Sequence, residues 1–449
     1  MQNDAFQSDR SKTKAWRLDQ LEKLERMLLD NRERWTDALY KDFGKPPFEQ
    51  EFEIVVPMGN INYYRDNLDD LMAPEPVALP AGLAETGHEG VIHREPFGVT
   101  LVIGPFNAPI LLLLDPAIAA LAAGNPVMLK PANTTPATAR LFAELVPKYF
   151  DPRDVAVVTG GRDEISALLE LPFDFIFFTG SSKVGKVVMR AAAEHLTPVI
   201  LELGGQNPTL VDTSADLERA ADYIAWGQNA ISGQWCIAPG YVCVHEDVAD
   251  AFVEKVKASI RRMYGDDPKK SPDFARMISE KDAERVASYI VEDQIVLGGR
   301  HSKADRYVEP TLLYPAGWSD PAMQQEIFGP VLPILRYRDL ADVVGRIKTL
   351  DKPLAAYVFS RDRAVAERFI HSVSFGGGCV NMTNLHCWVD SLPFGGVGSS
   401  GMGKYYGKAG FDALSNLKSM LVSPVDQLLD VFPPYVEKDI EKLLAPFAG

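Results

Sequence analysis

The feature that most constrains the fold of this chain is a repeated alternation between short, continuously apolar runs and amphipathic segments. In the first half the runs lie at 99–104, 126–130, 155–160, 173–180, 199–205 and 208–212. Helical periodicity separates them at 115–123, 134–149, 163–170, 181–195 and 215–231. Strands that are apolar throughout are buried on both faces, and helices alternating with strands cover a parallel sheet. The sequence therefore predicts an α/β fold.

The second half repeats this pattern. Its apolar runs lie at 242–245, 332–337, 355–360 and 377–382, with helical segments near 247–264, 279–292 and 338–349. The 449 residues leave room for two or three domains at about 150 residues each. Two α/β domains with a boundary near 204–208 are therefore predicted. Before them we expect two helices, at 11–43 and 50–72, with Gly44 ending the first.

Charge and composition exclude several classes of protein. The 61 acidic residues outnumber the 46 basic ones, and the net charge of −15 repels nucleic acid and anionic membranes. The longest uncharged stretch, 96–114, is interrupted by glycines and prolines, and the tail at 425–449 is too short and charged to span a bilayer. Four cysteines in so long a chain do not form a disulfide framework. The first ten residues lack the apolar core of a secretory signal. We expect a cytoplasmic enzyme with reduced thiols and neither nucleic-acid nor membrane partners.

Two glycine-rich motifs suggest phosphate binding but match imperfectly. The segment 180–187 approaches the phosphate loop of nucleotide triphosphatases, yet Val187 stands where a hydroxyl should bind magnesium. It still joins a strand to a helix, a turn whose backbone N–H groups suit a pyrophosphate. The segment 396–401 spells a dinucleotide fingerprint without an obvious helix after it. A loop with close backbone approach is the simpler interpretation of this second motif.

Three polar residues at the ends of apolar segments form a set suited to covalent catalysis. Cys236 follows a helical segment, Glu202 lies within an apolar strand, and Asn107 follows the strand at 99–104. A thiol, a carboxylate and an amide donor could serve as nucleophile, base and oxyanion ligand. An inert core thiol is the alternative for Cys236, and spacing alone does not bring the three together.

Seven motifs settle the comparison with known families. They are PFGVTLVIGPFN, LKPAN, FTGSSKVGK, LELGGQNP, GQWCIAP, EIFGPVLP and PFGGVGSSGMGKYYGK, in this order from about residue 95 to 408. In this order they resemble aldehyde dehydrogenases. The compact length and the tail PPYVEKDIEKLL resemble the class 3 branch, which includes bacterial benzaldehyde and coniferyl aldehyde dehydrogenases. The resemblance implies NAD- or NADP-dependent oxidation of an aldehyde substrate to the acid.

The resemblance also implies an architecture. It places a Rossmann-like NAD(P)-binding domain at 1–80 and 97–206 and an α/β catalytic domain at 207–396. Bridging or oligomerisation segments would lie at 81–96 and 397–449. A homodimer is the assembly that the class 3 resemblance implies.

Site residues carry over one by one. Cys236 would be the nucleophile, Asn107 and the backbone N–H of Cys236 would hold the oxyanion, and Glu202 would activate water to hydrolyse the thioester. A positive helix end or the bound cofactor's positive ring would favour ionisation of the Cys236 thiol. The residues that correspond to cofactor ligands are Lys130, Asn133, Gly180, Ser181, Gly185, Glu326 and Phe328. For Lys130 alone, a solvated lysine at a strand end is the alternative.

The chain departs from the family pattern at several positions. Asn133 replaces a glutamate that would repel a 2′-phosphate, so we expect NADP to be accepted. Trp235 replaces a small residue and Ala108 replaces an aromatic one, which predicts a rearranged pocket for aromatic or extended apolar aldehydes. Ile231 and Gly240 stand where Asn and Asp are usual, and the sequence alone does not explain them.

Other functions remain as alternatives. No metal site is predicted, because the spacing of Cys243, His245 and His386 does not match the paired ligands of a metal site. For His386, a solvated surface position is at least as plausible as one near the active site. A thioester or ester hydrolase would use Cys236 and Glu202 without a nicotinamide. A scaffold protein would retain the fold without needing an activated cysteine.

Overall fold

The computed structural model describes residues 1–426, 429 and 431–447 and has an α/β fold. The strands are β1 Glu75–Val77, β2 Glu89–Pro96, β3 Thr100–Ile103, β4 Val127–Lys130, β5 Val155–Val157, β6 Phe175–Thr179, β7 Val199–Glu202, β8 Asn207–Val211, β9 Pro239–His245, β10 Ile295–Leu297, β11 His301–Ser302, β12 Tyr307–Val308, β13 Thr311–Leu313, β14 Val331–Tyr337, β15 Ala355–Phe359, β16 Gly377–Val380, β17 Gly401–Met402 and β18 Ser415–Val422. The helices are α1 Gln2–Gln7, α2 Lys14–Leu29, α3 Arg32–Phe43, α4 Pro47–Met72, α5 Ala81–Ala84, α6 Leu111–Ala123, α7 Pro136–Tyr149, α8 Arg162–Leu169, α9 Ser182–His195, α10 Leu217–Asn229, α11 Glu246–Tyr264, α12 Glu280–Ala287, α13 Leu340–Ile347, α14 Arg363–Ser372, α15 Gly407–Ala413 and α16 Ile440–Leu444.

The first sheet has six strands in the order β17-β7-β6-β3-β4-β5, and all but β17 are parallel. From β3 the chain adds β4 and β5 on one side, then returns to add β6 and β7 on the other. Such a reversal of strand order opens a crevice at the carboxyl ends of the strands, where ligands bind in open α/β sheets. The edge strand β17 requires Gly401, because a Cβ there would overlap the carbonyl oxygen of Leu201.

The second sheet has seven strands in the order β10-β13-β14-β9-β8-β15-β16, and only β10 is antiparallel. The chain passes from the first sheet to the second between β7 and β8, that is, within 203–206. A third sheet pairs β2 with β1 on one side and with β18 on the other. The domain boundaries drawn from the sequence stay a prediction.

The prediction of one continuous helix at 11–43 is wrong. The segment forms two helices, α2 and α3, because Asn31 leaves the helical conformation with φ −120°. Gly44 ends α3 in the left-handed conformation, as predicted. Leu21, Leu24 and Leu28 of α2 are completely buried, so this helix is part of the main hydrophobic core.

In the part of the chain that the structure describes, no helix is both long and apolar enough to cross a bilayer. The prediction that the tail at 425–449 does not span a bilayer falls partly outside the described residues, since 427, 428, 430, 448 and 449 are not among them.

Candidate active site

A cavity of about 490 Å³ opens at the carboxyl ends of four strands of the first sheet. Lys130 ends β4, Thr179 ends β6 and Glu202 ends β7, and each side chain borders the cavity; Gly104, directly after β3, completes this edge. Parallel strands present their carboxyl ends at one edge of a sheet, so residues distant in sequence meet here. The cavity lies where the strand order predicts a ligand crevice.

Most of the predicted site residues line this one cavity. They are Asn107, Lys130, Asn133, Gly180, Ser181, Glu202, Cys236, Glu326 and Phe328. Gly185 does not line it: this glycine lies in α9, where an added Cβ would approach Leu203 Cδ2 to 2.7 Å. Gly185 therefore allows the helix to pack closely on the residue that follows β7. Trp235 and Ala108 also lie outside the cavity wall.

The carboxyl group of Glu202 is completely buried beside the thiol of Cys236. Burial raises the pKa of Glu202 to about 7, although the Cys236 thiol and the Thr179 hydroxyl lower it in part. Among the described residues, neither carboxylate oxygen has a well-formed hydrogen bond, and neither does the buried hydroxyl of Thr179. Buried polar atoms are normally paired, so these atoms fit a site that holds water or a ligand. A carboxyl group that titrates near neutrality is suited to general-base chemistry.

Cys236 is buried, with only 8% of the residue exposed. Burial raises its pKa well above the usual value, and the carboxylates of Glu202 and Glu326 add to the shift. The thiol is therefore protonated at neutral pH in the protein alone, with Glu202 as the nearest acceptor for its proton.

A strained loop presents Cys236 to the cavity. Ile231, Ser232 and Gly233 have φ values of 55°, 54° and 71°, three left-handed residues in succession. A β-branched residue rarely adopts this conformation. The loop is anchored because Glu49 Oε1 accepts a hydrogen bond of 2.7 Å from the Ile231 N–H, and Gln234 Nε2 donates to the Ile231 carbonyl at 2.9 Å. These contacts account for how Ile231 is held where the family has Asn.

Gly240 has a separate explanation. A Cβ at this position would lie 2.7 Å from the backbone nitrogen of Asn207, so β8 and β9 approach too closely for a side chain. The side-chain amide of Asn207 donates to the carbonyls of Cys236 and Ala238 at 2.9 and 2.8 Å. Gly240 thus lets β8 hold the chain at and directly after Cys236.

The cofactor side of the cavity is built from Lys130 and the start of α9. Lys130 is 1% exposed and donates from Nζ to the carbonyls of Pro131 and Gly160, both at 2.8 Å, so the alternative of a solvated lysine is wrong. Ser181 caps α9, its hydroxyl accepting from the Val184 N–H. Backbone N–H groups at such a helix start favour an anion. A buried ammonium and this helix start, both bordering a cavity of about 490 Å³, together fit a dinucleotide.

Glu326 and Phe328 also border the cavity. A Cβ on Gly204 would overlap the Glu326 carboxyl group, so the glycine is needed for this approach. Burial raises the pKa of Glu326 to about 7. Phe328 is held at φ +48°, a costly conformation for an aromatic residue, and its ring contacts Phe106 edge-on at 5.7 Å.

An aromatic cluster includes Trp235, the residue before Cys236. The rings of Phe52, Trp226, Trp235 and Trp388 form a closed cycle whose neighbouring centroids lie 5.2 to 6.1 Å apart. Trp235 lines a small cavity within it, whereas Ala108 lies in an apolar cluster with Leu111 and Leu112 against which Phe52 packs. Phe52 and Trp388 come from distant parts of the chain and no short motif marks them, so the sequence analysis missed them.

His386 is buried and not a surface residue, and its Nδ1 lies 3.6 Å from the Cys379 sulfur. Burial lowers its pKa to about 4, so the imidazole is neutral. Within the described residues, His, Cys, Asp and Glu side chains form no group of three placed to bind a metal ion.

Comparisons with known proteins agree with this geometry. The model of the aldehyde dehydrogenase family matches residues 2–420. Human aldehyde dehydrogenase family 3 member B1 is 41% identical over 98% of this chain and 95% of its own length. The 4,4′-diaponeurosporen-aldehyde dehydrogenase of Staphylococcus aureus is 39% identical over 96% of this chain and 95% of its own. The rat enzyme named aldehyde dehydrogenase, dimeric NADP-preferring, is 42% identical over 93% of this chain and 92% of its own.

A solved structure described as the substrate-bound state of Staphylococcus aureus AldH has a TM-score of 0.95 and 37% identity, covering 100% of this chain and 98% of that one. The fold predicted from the sequence is thereby confirmed. The chain belongs to the aldehyde dehydrogenase family, and it is an oxidoreductase that oxidises aldehydes with NAD or NADP.

Proposed function

We propose that this enzyme oxidises aromatic or extended apolar aldehydes through a thioester on Cys236. The observation that carries the proposal is the meeting of Cys236, Glu202 and Asn107 on one cavity at the carboxyl ends of parallel strands. In that arrangement each residue supports a distinct step.

The first step is attack on the aldehyde. Glu202 takes the proton of the Cys236 thiol, the sulfur bonds to the carbonyl carbon, and the carbonyl oxygen becomes an oxyanion. The Asn107 side chain, 3% exposed and on the same cavity, is the candidate donor to this oxygen. One such donor contributes about 2.7–4 kcal/mol to transition-state stabilisation.

The second step makes the acid. Bound NAD or NADP supplies the hydride acceptor, which leaves the acyl group on Cys236 as a thioester. Glu202 first releases the thiol proton to solvent and then takes a proton from water. The water oxygen attacks the thioester carbon and the carbon–sulfur bond breaks, which releases the carboxylic acid, while the sulfur recovers a proton from Glu202. A base with a pKa of about 7 is well matched to this task at neutral pH.

The substrate class rests on the aromatic cluster. Trp235, adjacent to the nucleophile in the chain, faces Phe52 at 6.0 Å and Trp226 at 5.9 Å. Aromatic walls favour apolar and aromatic ligands. The staphylococcal relative named for an extended apolar aldehyde supports the same class for this chain.

The test is absorbance at 340 nm with a panel of aromatic, terpenoid and short aliphatic aldehydes and both cofactors. The expected result is a higher kcat/KM for aromatic and long apolar aldehydes than for acetaldehyde. Formation of no NADH or NADPH with any aldehyde would contradict the proposal. The variant Cys236→Ala should abolish turnover, while Cys243→Ala, a completely buried thiol in β9, is the matched control.

The same proposal includes a homodimer. Strand β18 is the edge of the third sheet, and its Leu417, Met420 and Leu421 side chains are 46% to 52% exposed. An exposed apolar edge strand is a template for pairing with another chain. One relative is named as dimeric, which supports this assembly. Light scattering after size exclusion should give twice the 49.5 kDa chain mass, and Leu421→Lys should shift it toward the monomer.

A further inference from the structure

The aromatic cluster contains a carboxylate that the proposed mechanism does not use. Glu49, from α4, lines the small cavity enclosed by the four rings, together with Phe48, Ala230 and Ile231. Its Oε1 is occupied by the Ile231 N–H. Its Oε2 is buried and makes no hydrogen bond within the described chain. One acceptor oxygen is therefore available in otherwise apolar surroundings.

The cluster borders the reacting groups on a side that the dinucleotide cavity does not reach. Trp235 precedes the nucleophile Cys236, and Ala108, next to Asn107, belongs to a small apolar cluster against which Phe52 packs. No ring of the cluster lines the dinucleotide cavity. An aldehyde whose carbonyl lies between Cys236 and Asn107 would thus extend its far end among these rings.

The small cavity is sized for one polar group. Its volume is about 20 Å³, and about 10–15 Å³ suffices for one water molecule. A single hydroxyl group at the far end of a substrate fits such a space. The outer side of the cavity is formed by Phe48 and Trp388, which are 62% and 37% exposed, so the cavity lies close to the protein surface.

Glu49 is suited to accept a hydrogen bond. The charge of the neighbouring Lys45 lowers the pKa of Glu49, although burial is the larger effect and raises it to about 7. Lys45 itself is paired with Glu53 in a completely buried ion pair, so it cannot swing over to satisfy Glu49. A ligand is then the natural partner for the second oxygen.

We infer that Glu49 selects aldehydes that carry a hydroxyl group at the end remote from the aldehyde, with Oε2 accepting the hydroxyl proton inside the aromatic cluster. This inference rests on the proposed oxidation of aromatic or extended apolar aldehydes and specifies which of them the site prefers.

The experiment compares kcat/KM for matched pairs that differ only at the far end. Straight-chain aldehydes of increasing length and para-substituted benzaldehydes are tested with a terminal methyl, hydroxyl, methoxy or trimethylammonium group. At the length that spans the site, hydroxyl should exceed methyl by about 10- to 100-fold, as expected for one hydrogen bond to a charged acceptor. Methoxy, which accepts but cannot donate, should gain nothing.

Glu49→Gln is the decisive variant. Its Oε1 can still accept from the Ile231 N–H, but an NH₂ donor replaces Oε2, so the ratio of hydroxyl to methyl should fall to about one and methoxy should gain. Glu51→Gln is the matched control on the same helix, since Glu51 pairs with Arg32 at the surface, and should keep the wild-type ratio.

Several outcomes would overturn the inference. A hydroxyl-to-methyl ratio below threefold at every length, an unchanged ratio in Glu49→Gln, or a preference for trimethylammonium, which would indicate a cation site, each contradicts it. If circular dichroism shows that Glu49→Gln does not fold, the hydroxyl-to-methyl ratios of the wild-type enzyme still test the inference. Oxidation of methyl-terminated aldehydes without a hydroxyl preference refutes this inference alone, whereas no NAD(P)H from any aldehyde refutes the proposed function.

Discussion

The buried position of Glu202 has a quantitative consequence for the pH dependence of thioester hydrolysis. With its pKa at about 7, about 9% of Glu202 is ionised at pH 6 and about 91% at pH 8, a tenfold difference in active base. An exposed glutamate near 4.5 would be about 97% ionised already at pH 6 and would give a flat profile. Hydrolysis should therefore accelerate about tenfold between pH 6 and 8 and level off above pH 8.

The assay isolates this step without the cofactor. Cys236 is acylated with an activated ester, and decay of the acyl-enzyme is followed by intact-protein mass spectrometry from pH 5 to 9.5. In Glu202→Gln the acyl-enzyme should persist. The rate of its slow decay should no longer rise with pH to a plateau above pH 8. Glu326→Gln is an informative control, because Glu326 lines the same cavity and also titrates at about 7. That variant should keep the pH profile of the wild type.

Two results would refute the reasoning. A difference below twofold between pH 6 and 8 would mean that Glu202 is ionised throughout. A rate that continues to rise tenfold per pH unit above pH 8 would mean that hydroxide attacks without a general base.

Substitutions at three other residues are expected to change cofactor preference, substrate ranking and stability. Asn133→Glu should shift the ratio of kcat/KM toward NAD by adding repulsion to a 2′-phosphate; a several-hundred-fold preference for NAD already in the wild type would contradict this account. Trp235→Thr should change the ranking of aldehyde substrates, and an unchanged ranking would show that its ring does not contact them. Asp115 is buried and its pKa is raised from 3.8 to about 7, so the folded protein loses stability as pH rises through this range, by up to about 4 kcal/mol. Asp115→Asn should consequently raise Tm more at pH 8 than at pH 5, and an equal change at both pH values would contradict the assignment.

Local patterns predicted the first sheet closely. Each strand from β3 to β7 begins and ends within three residues of its predicted apolar run, because a strand buried on both faces leaves an unmistakable run of apolar residues. The strands β10 to β13 were missed, since segments of two or three residues do not establish a periodicity. The break at Asn31 was missed for a related reason: Leu28 and Trp35 keep facing one core on either side of it, so the apolar pattern continues through.

In the candidate site too, some residues can be predicted from local sequence patterns and others cannot. Cys236, Glu202 and Asn107 stood out as polar residues at the ends of apolar segments, and the family resemblance assigned them roles. Glu49 gave no such signal, because its isolation depends on rings contributed by α4, α10 and the segment near Trp388. Contacts between distant segments are what a linear pattern cannot convey.

The pairing of Gly401 with Glu202 ties the proposed general base to the far end of the chain. During synthesis the ribosome releases β7 long before β17, so the sheet that carries Glu202 lacks its outer strand until nearly all of the protein has emerged. Formation of such a long-range contact is slow compared with local helix formation. Truncation or late misfolding near residue 401 would then leave a chain that contains all three reacting groups yet holds the carboxylate on an uncovered edge.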